Sequence, residues 1–178
     1  MKKFLPLILI GVGVLVVAVS GITIAKMMKG GGDDAVEDEA SIPEIPQDQR
    51  PTISLTPSSD GHWLDFKVQN IKVKGAASMD YELIYTTGMG VQQGVPGTVK
   101  LEGSDVTRNL LLGSESSGKF RYDEGVKGGT MTIRFRNDKG KLIGKLSSTF
   151  TLSSPKKGVF EVTMDTLAEG TKTFTSSK

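Results

Sequence analysis

The chain has 178 residues, with 22 basic and 20 acidic side chains and a formal net charge of +2. It contains no cysteine and one histidine. That excludes disulfides, thiolate chemistry, Cys-ligated zinc, iron–sulfur clusters, a lipid-modified cysteine anchor and any multi-histidine metal site. The near-neutral total conceals three blocks, because residues 1–29 carry +4, residues 30–49 carry −7 and residues 50–178 carry +5.

Phe4 to Ala25 is a run of 22 residues without a charge. As a helix it extends about 33 Å, enough for a hydrocarbon core of about 30 Å. It has no polar face, so it predicts a spanning helix and not a surface-lying one. Lys2, Lys3 and the α-amine precede the run, and Lys26 and Lys29 follow it. The slight excess before the helix places the N-terminus in the cytoplasm and the rest outside. The rival reading is a signal peptide cleaved near Ser20, since Ala18, Val19 and Ser20 offer suitably small residues. Ile22 and Ile24 carry the apolar run past a usual signal-peptide core, which favours an uncleaved anchor over 1–29 with its span at 4–25. Gly21 and Ala25 form a small-xxx-small pair, a spacing that is common in spanning helices whether or not they associate.

Residues 30–51 combine Gly30, Gly31 and Gly32, seven acids and Pro43, Pro46 and Pro51. Such a composition buries too little apolar surface to offset chain entropy, so a disordered, self-repelling stalk is expected.

From Thr52 onward a period of two dominates. In His62–Asn70, Leu64, Phe66 and Val68 face one way; in Met79–Thr86, Met79, Tyr81, Leu83 and Tyr85 align. Thr98–Glu102, Val106–Leu112 and Lys119–Asp123 read as shorter strands separated by turns at Gly94, Gly97, Gly103, Gly113 and Gly118. The clearest element is a hairpin. Met131, Ile133 and Phe135 alternate with polar residues, Asn137 to Gly140 supplies the turn, and Leu142 to Leu152 returns. Beyond it, Phe160, Val162 and Met164 alternate, and a turn at Leu167 to Gly170 leads into a last hairpin strand. Many short strands with glycine-containing turns predict an all-β fold, an antiparallel immunoglobulin-like β-sandwich, preceded by one N-terminal transmembrane α-helix. Residues 52–153 form the sandwich, and residues 154–178 are a C-terminal hairpin appended to it or completing it. A Greek-key barrel is the alternative fold.

The stretch Tyr81–Leu152, from YELIYTTGMGVQQGVPGTVKLEG to FRNDKGKLIGKLSSTFTL, together with the anchor and stalk, resembles bacterial single-pass membrane-anchored proteins with one immunoglobulin- or fibronectin-III-like module. The resemblance covers under half the chain and implies a fold but no activity. The N-terminal third also resembles membrane proteins associated with the flagellar-motor stator. The β-rich remainder does not match their outer domain, so that function is not carried over. Type IV pilins begin with a similar helix, but the glutamate they place five residues after a Gly-Phe cleavage point is missing.

Candidate chemistry is sparse. Gly113 to Lys119 matches the G-x4-G-K part of a phosphate loop, yet Phe120 stands where Ser or Thr must hold magnesium and strands follow, so it reads as a turn. Gly88, Gly90 and Gly94 are spaced wrongly for a dinucleotide loop. His62 is the sole imidazole, sits at a turn, and has no nucleophile elbow to serve. Asp80 and Glu82 share a partly solvated strand face, and no spacing marks a buried carboxylate pair or a calcium loop. Trp63 falls by parity with Asp65, Lys67 and Gln69 on the polar face, where an indole can anchor a partner. A bulge turning it inward, or cover from Thr52–Pro57, would make it structural. Arg134, Arg136, Lys139, Lys141 and Lys145, with one acid, Asp138, give the central hairpin a basic outer face. That face suits an anionic envelope polymer or headgroup, although cations on exposed strands also prevent edge aggregation. No aromatic residue is interleaved there, so nucleic acid is not expected.

These readings converge on a non-catalytic, membrane-tethered extracytoplasmic domain with a binding or structural role. Its expected partners are the bilayer, through residues 4–25, and a protein or anionic envelope component, with Trp63, Arg134, Arg136, Lys141 and Lys145 as binding candidates. No metal or other cofactor is expected. The alternatives are an accessory subunit of a larger envelope machine and, remotely, a carboxylate-based hydrolase.

Overall fold

Alternating side chains leave one face of each strand apolar, and those faces must be buried against each other. The structure, a computed structural model, describes residues 42–43 and 45–176. The membrane span expected at 4–25 lies outside the described residues. Among the described residues no helix is long and apolar enough to cross a membrane.

Among the described residues, eleven strands follow a 3-10 turn at Gln47–Gln49. They are β1 (Thr52–Pro57), β2 (Trp63–Gln69), β3 (Ser78–Thr86), β4 (Gln92–Lys100), β5 (Val106–Leu111), β6 (Gly113–Ser116), β7 (Lys119–Tyr122), β8 (Gly128–Arg136), β9 (Leu142–Lys156), β10 (Val159–Asp165) and β11 (Thr171–Thr175). A three-stranded sheet runs β1-β2-β5, a six-stranded sheet runs β11-β10-β9-β8-β3-β4, and β6-β7 is a separate two-stranded ribbon. Every pairing is antiparallel.

The two larger sheets share one apolar layer. Ile53, Leu55, Leu64, Phe66 and Val68 of the smaller sheet and Met79, Leu83, Met131, Ile133 and Phe135 of the larger are all 0% exposed and belong to a single cluster. The architecture is therefore an all-β sandwich. Along β9, Leu142, Gly144, Leu146, Ser148, Phe150 and Leu152 are buried, as the alternation predicts. The central hairpin forms in register, with Met131 opposite Ser148 and Ile133 opposite Leu146, and the Asn137 side chain accepts from Lys139 N and Lys141 N at 3.0 Å. β9 continues unbroken past residue 153, and β10 and β11 add to the same six-stranded sheet. On the side opposite β5, Ile53 N donates to Thr166 O at 3.0 Å, tying β1 to the turn after β10.

Several local expectations are corrected. Gly94 and Gly97 lie inside β4, not at turns, and Gly113 opens β6 after a bend at Leu112. A Cβ at Gly97 would sit 2.2 Å from Tyr81 Cζ, and one at Gly113 would sit 2.1 Å from the Arg121 carbonyl oxygen. These glycines mark close approaches. Pro96 is tolerated because β4 is an edge strand. The expected disordered stalk over 30–51 is ordered at its end. Ile45 is 3% exposed and packs over Gly144, and Arg50 Nε donates to Ile45 O at 3.1 Å. Two isoleucines among prolines and acids make no strand or helix period to reveal Ile45, whereas the bare surface over Gly144 leaves it a seat.

The strands run between two poles. At one, His62, Leu112, Gly88, Glu124, Lys127 and Leu152 are joined through Leu112 N to His62 O, Gly88 N to Glu124 O and Leu152 N to Lys127 O, all within 2.9 Å. At the other, Ala77 N donates to Arg136 O at 2.7 Å and Leu101 N to Ala77 O at 2.9 Å. Ile45 over Gly144 belongs to this second pole, so the described chain enters the sandwich there.

Phe66→Ala, at a fully buried position, is expected to lower unfolding free energy by about 3–5 kcal/mol. A downward shift of the urea midpoint, with the circular-dichroism baseline unchanged, measures this.

Candidate functional site

The sandwich's first pole is built around the connection from β5 to β8. A two-stranded ribbon is marginal alone, so β6-β7 must lean on something. Its tight turn uses Ser117 and Gly118, both at positive φ (51° and 76°), and Glu115 Oε1 accepts from Gly118 N at 2.7 Å. The phosphate-loop-like run is thus a hairpin turn. Alternation in Lys119–Tyr122 puts Phe120 and Tyr122 on one face of the ribbon, and that face meets the start of β2.

The contact is a ladder of four rings. Tyr122 stacks on His62 at 4.0 Å between centroids and 11° between planes. Phe120 lies parallel to Tyr122 at 6.2 Å, and Trp63 meets Phe120 edge-on at 5.7 Å and 69°. Such offset and edge-to-face pairs add about 0.5–1.5 kcal/mol each beyond their buried area. The ladder is only half closed to solvent, since Phe120 remains 49% and Tyr122 39% exposed. Nearby, Met89 at the β3–β4 turn is 83% exposed, and it borders a hollow shared with Arg121 and Tyr122.

Trp63 keeps the parity read from the sequence. It lies on the outer face of the three-stranded sheet, is half-buried, and meets Phe120 across the ring contact described above, with no inward bulge in the β2 register. It walls an open groove of about 420 Å³ together with Thr56, Pro57, Ser58, Asp65 and Asn109. The β1–β2 turn beneath it is closed by Ser58 N to Trp63 O at 2.9 Å and by Trp63 N to Ser58 Oγ at 3.0 Å. The Ser58 hydroxyl also donates to Asp60 Oδ1, and His62 N donates to the same oxygen at 3.0 Å. These two donors, Ser58 first, hold the Asp60 carboxyl below its ordinary range.

The opposite outer face carries the other candidates. Arg134 and Arg136 lie on β8, where β3 brings acids alongside: Arg134 Nη1 is 3.3 Å from Glu82 Oε2 and Arg136 Nε is 2.7 Å from Asp80 Oδ2. Lys145 stands across from Arg134, while Lys141 is exposed beside the turn. The basic face counted on one hairpin is therefore a mixed-charge face once β3 pairs with it. It does not join Trp63, which belongs to the other sheet. What the sequence reading missed is the pairing of 113–116 with 119–122. Lys-Phe-Arg-Tyr showed alternation, but nothing in it named the His62–Trp63 pair as the surface it would cover.

Beneath the ladder the pole is pinned from inside. Tyr85, 1% exposed, donates its hydroxyl to Asp123 Oδ2 at 2.8 Å. Burial first, then the bond to Asp123 and its charge, hold the phenol above its ordinary value near 10. Among the described residues no group of three or more His, Cys, Asp or Glu is placed to hold a metal ion. No family model, no curated protein and no solved structure matches the chain.

Trp63 is the sole tryptophan, so Phe120→Ala is expected to red-shift the protein's emission and increase acrylamide quenching; an unchanged spectrum would contradict the covering contact. The raised Tyr85 value means the folded state keeps its proton where the unfolded chain gives it up. The resulting stability is complete below pH 10, the unfolded value, and is lost as pH rises above it. Alkaline denaturation should show this slope, and Tyr85→Phe should flatten it.

Proposed function

We propose that the chain is a membrane-tethered, extracytoplasmic binding module, without catalysis, that presents its aromatic pole to a component of the cell envelope. The observation that carries this reading is the half-open ladder of His62, Tyr122, Phe120 and Trp63 at the pole opposite the one where Ile45 joins the sandwich. Aromatic side chains left accessible beside a groove are costly in water and common where a partner docks. The uncharged run at 4–25 supplies the tether in this reading, and the acidic stalk holds the domain away from an anionic surface.

The sandwich in this proposal is of the immunoglobulin or fibronectin-III kind. In support, β1, β2 and β5 form one sheet, while β4, β3, β8 and β9 lie adjacent in that order in the other. This alternation of consecutive strands between sheets is the Greek-key arrangement of that class. The β6-β7 ribbon is then an elaboration of one interstrand loop, and β10-β11 widens the second sheet.

A photoactivatable residue in place of Phe120 in the full-length chain, irradiated in intact cells, is expected to give an envelope adduct. The same residue in place of Lys139, in the turn at the other pole, is expected to give none. Equal labelling from both positions would refute the assignment of the binding pole. Protease added outside the intact membrane should remove the domain; protection from it would refute the outward orientation.

A further inference from the structure

The groove beside Trp63 has a chemical character of its own. Thr56 of β1 pairs with Asp65 of β2, and Asp65 pairs with Asn109 of β5, so one row across the outer face offers a hydroxyl, a carboxylate and an amide. Trp63 is two residues before Asp65 on the same face and forms the groove's apolar wall. Lys67 Nζ lies 2.9 Å from Asp65 Oδ2 and balances its charge from the next row. The groove's volume, about 420 Å³, falls within the roughly 300–1,000 Å³ of small-molecule sites.

Each alternative ligand fails on one of these features. A phosphate chain would meet Asp65 in the groove and Asp60 beside it. An apolar ligand would bury the Thr56 hydroxyl and the Asn109 amide without partners and would desolvate the Asp65–Lys67 pair. An extended peptide adds at a sheet edge, whereas the groove centres on Trp63 and Asp65 of β2, which is paired on both sides, with β1 and with β5. A neutral polyol with a flat apolar face satisfies all of them. Its hydroxyls donate to Asp65, exchange bonds with Thr56 and Asn109 in either direction, and its polarised C–H groups lie on the electron-rich face of the indole. Pyranoses with equatorial substituents have that shape, and β-1,4-linked chains of them present it again at successive units.

We infer that the Trp63 groove binds a β-1,4-linked pyranose oligosaccharide, with Trp63 as the stacking wall and Asp65, Asn109 and Thr56 as the hydroxyl-reading row. This assignment deepens the binding-module reading and rests on it. The full-length chain, held in a detergent without a sugar headgroup, is titrated with chitohexaose and with cellohexaose while Trp63 emission is followed. A saturable change with at least one of them, half-complete at or below about 1 mM, is expected. Calorimetry on the variants then reads the residues. Trp63→Ala and Asn109→Ala each weaken binding by about tenfold or more, Trp63→Phe recovers part of the loss, and Lys139→Ala at the far pole changes nothing. Asn109 is exposed on β5, so its variant is expected to keep the native urea midpoint. The inference is overturned if neither sugar gives a saturable signal up to about 10 mM, or if Asn109→Ala binds as tightly as the native chain. An envelope adduct from position 120 without a saccharide response would sink the glycan assignment alone; loss of both would sink the binding pole with it.

Discussion

Everything at the aromatic pole depends on one buried layer. Two sheets of unequal width meet through side chains with no exposed surface, and this meeting fixes which face of their inner strands points outward. With Leu64, Phe66 and Val68 held inward, Trp63, Asp65 and Lys67 have no option but the outer face. A one-residue slip would exchange the two sets, burying a carboxylate and an ammonium, so the core selects the groove's composition.

The pole itself is held by close approaches between backbones as much as by side chains. A Cβ at Gly125 would lie 2.7 Å from Gly88 Cα, which lets the β3–β4 turn lie directly on the segment leading into β8. At Gly61, which has φ of 73°, the Phe160 ring occupies the space a Cβ would take, 2.4 Å away. With Tyr85 bonded to Asp123 from below, the long connection between β5 and β8 is fastened at several independent points. The ribbon it carries can therefore hold its rings at a fixed height against His62 and Trp63.

The legible parts of this structure are those where local pattern and global burial agree. The β8–β9 hairpin combines strict alternation with an Asn-Asp-Lys-Gly turn, and the face assigned to Leu142 through Leu152 is the buried one. Trp63's parity followed from the same alternation, because Leu64, Phe66 and Val68 face inward with no bulge to turn their neighbour. Residues whose role lies in a distant partner carry no such local pattern. Gly97 looks like a turn until the Tyr81 ring is seen resting on it, and Gly113 until the Arg121 carbonyl is. Ile45 carries no period, so only the empty surface over Gly144 explains its burial. Arg134 and Arg136 formed a basic patch when read along one hairpin. The register that sets Asp80 and Glu82 beside them joins residues more than fifty positions apart. The ladder is the same case, since its four rings come from two segments whose meeting is a property of the fold.

The placement of the chain's entry has a mechanical consequence. Thr52 begins β1 at one pole, while Trp63 begins the antiparallel β2 at the other, opposite the end of β1. A pull applied ahead of β1 and resisted by whatever holds the rings would therefore run parallel to the strands. The six register pairs between β1 and β2 would be loaded together in shear, with their hydrogen bonds lying across the direction of force. The strands would not peel apart one bond at a time. The hydrogen bond from Ile53 to Thr166 adds the wider sheet to the same load path. A sandwich joined in this way resists force applied along its strands as one unit.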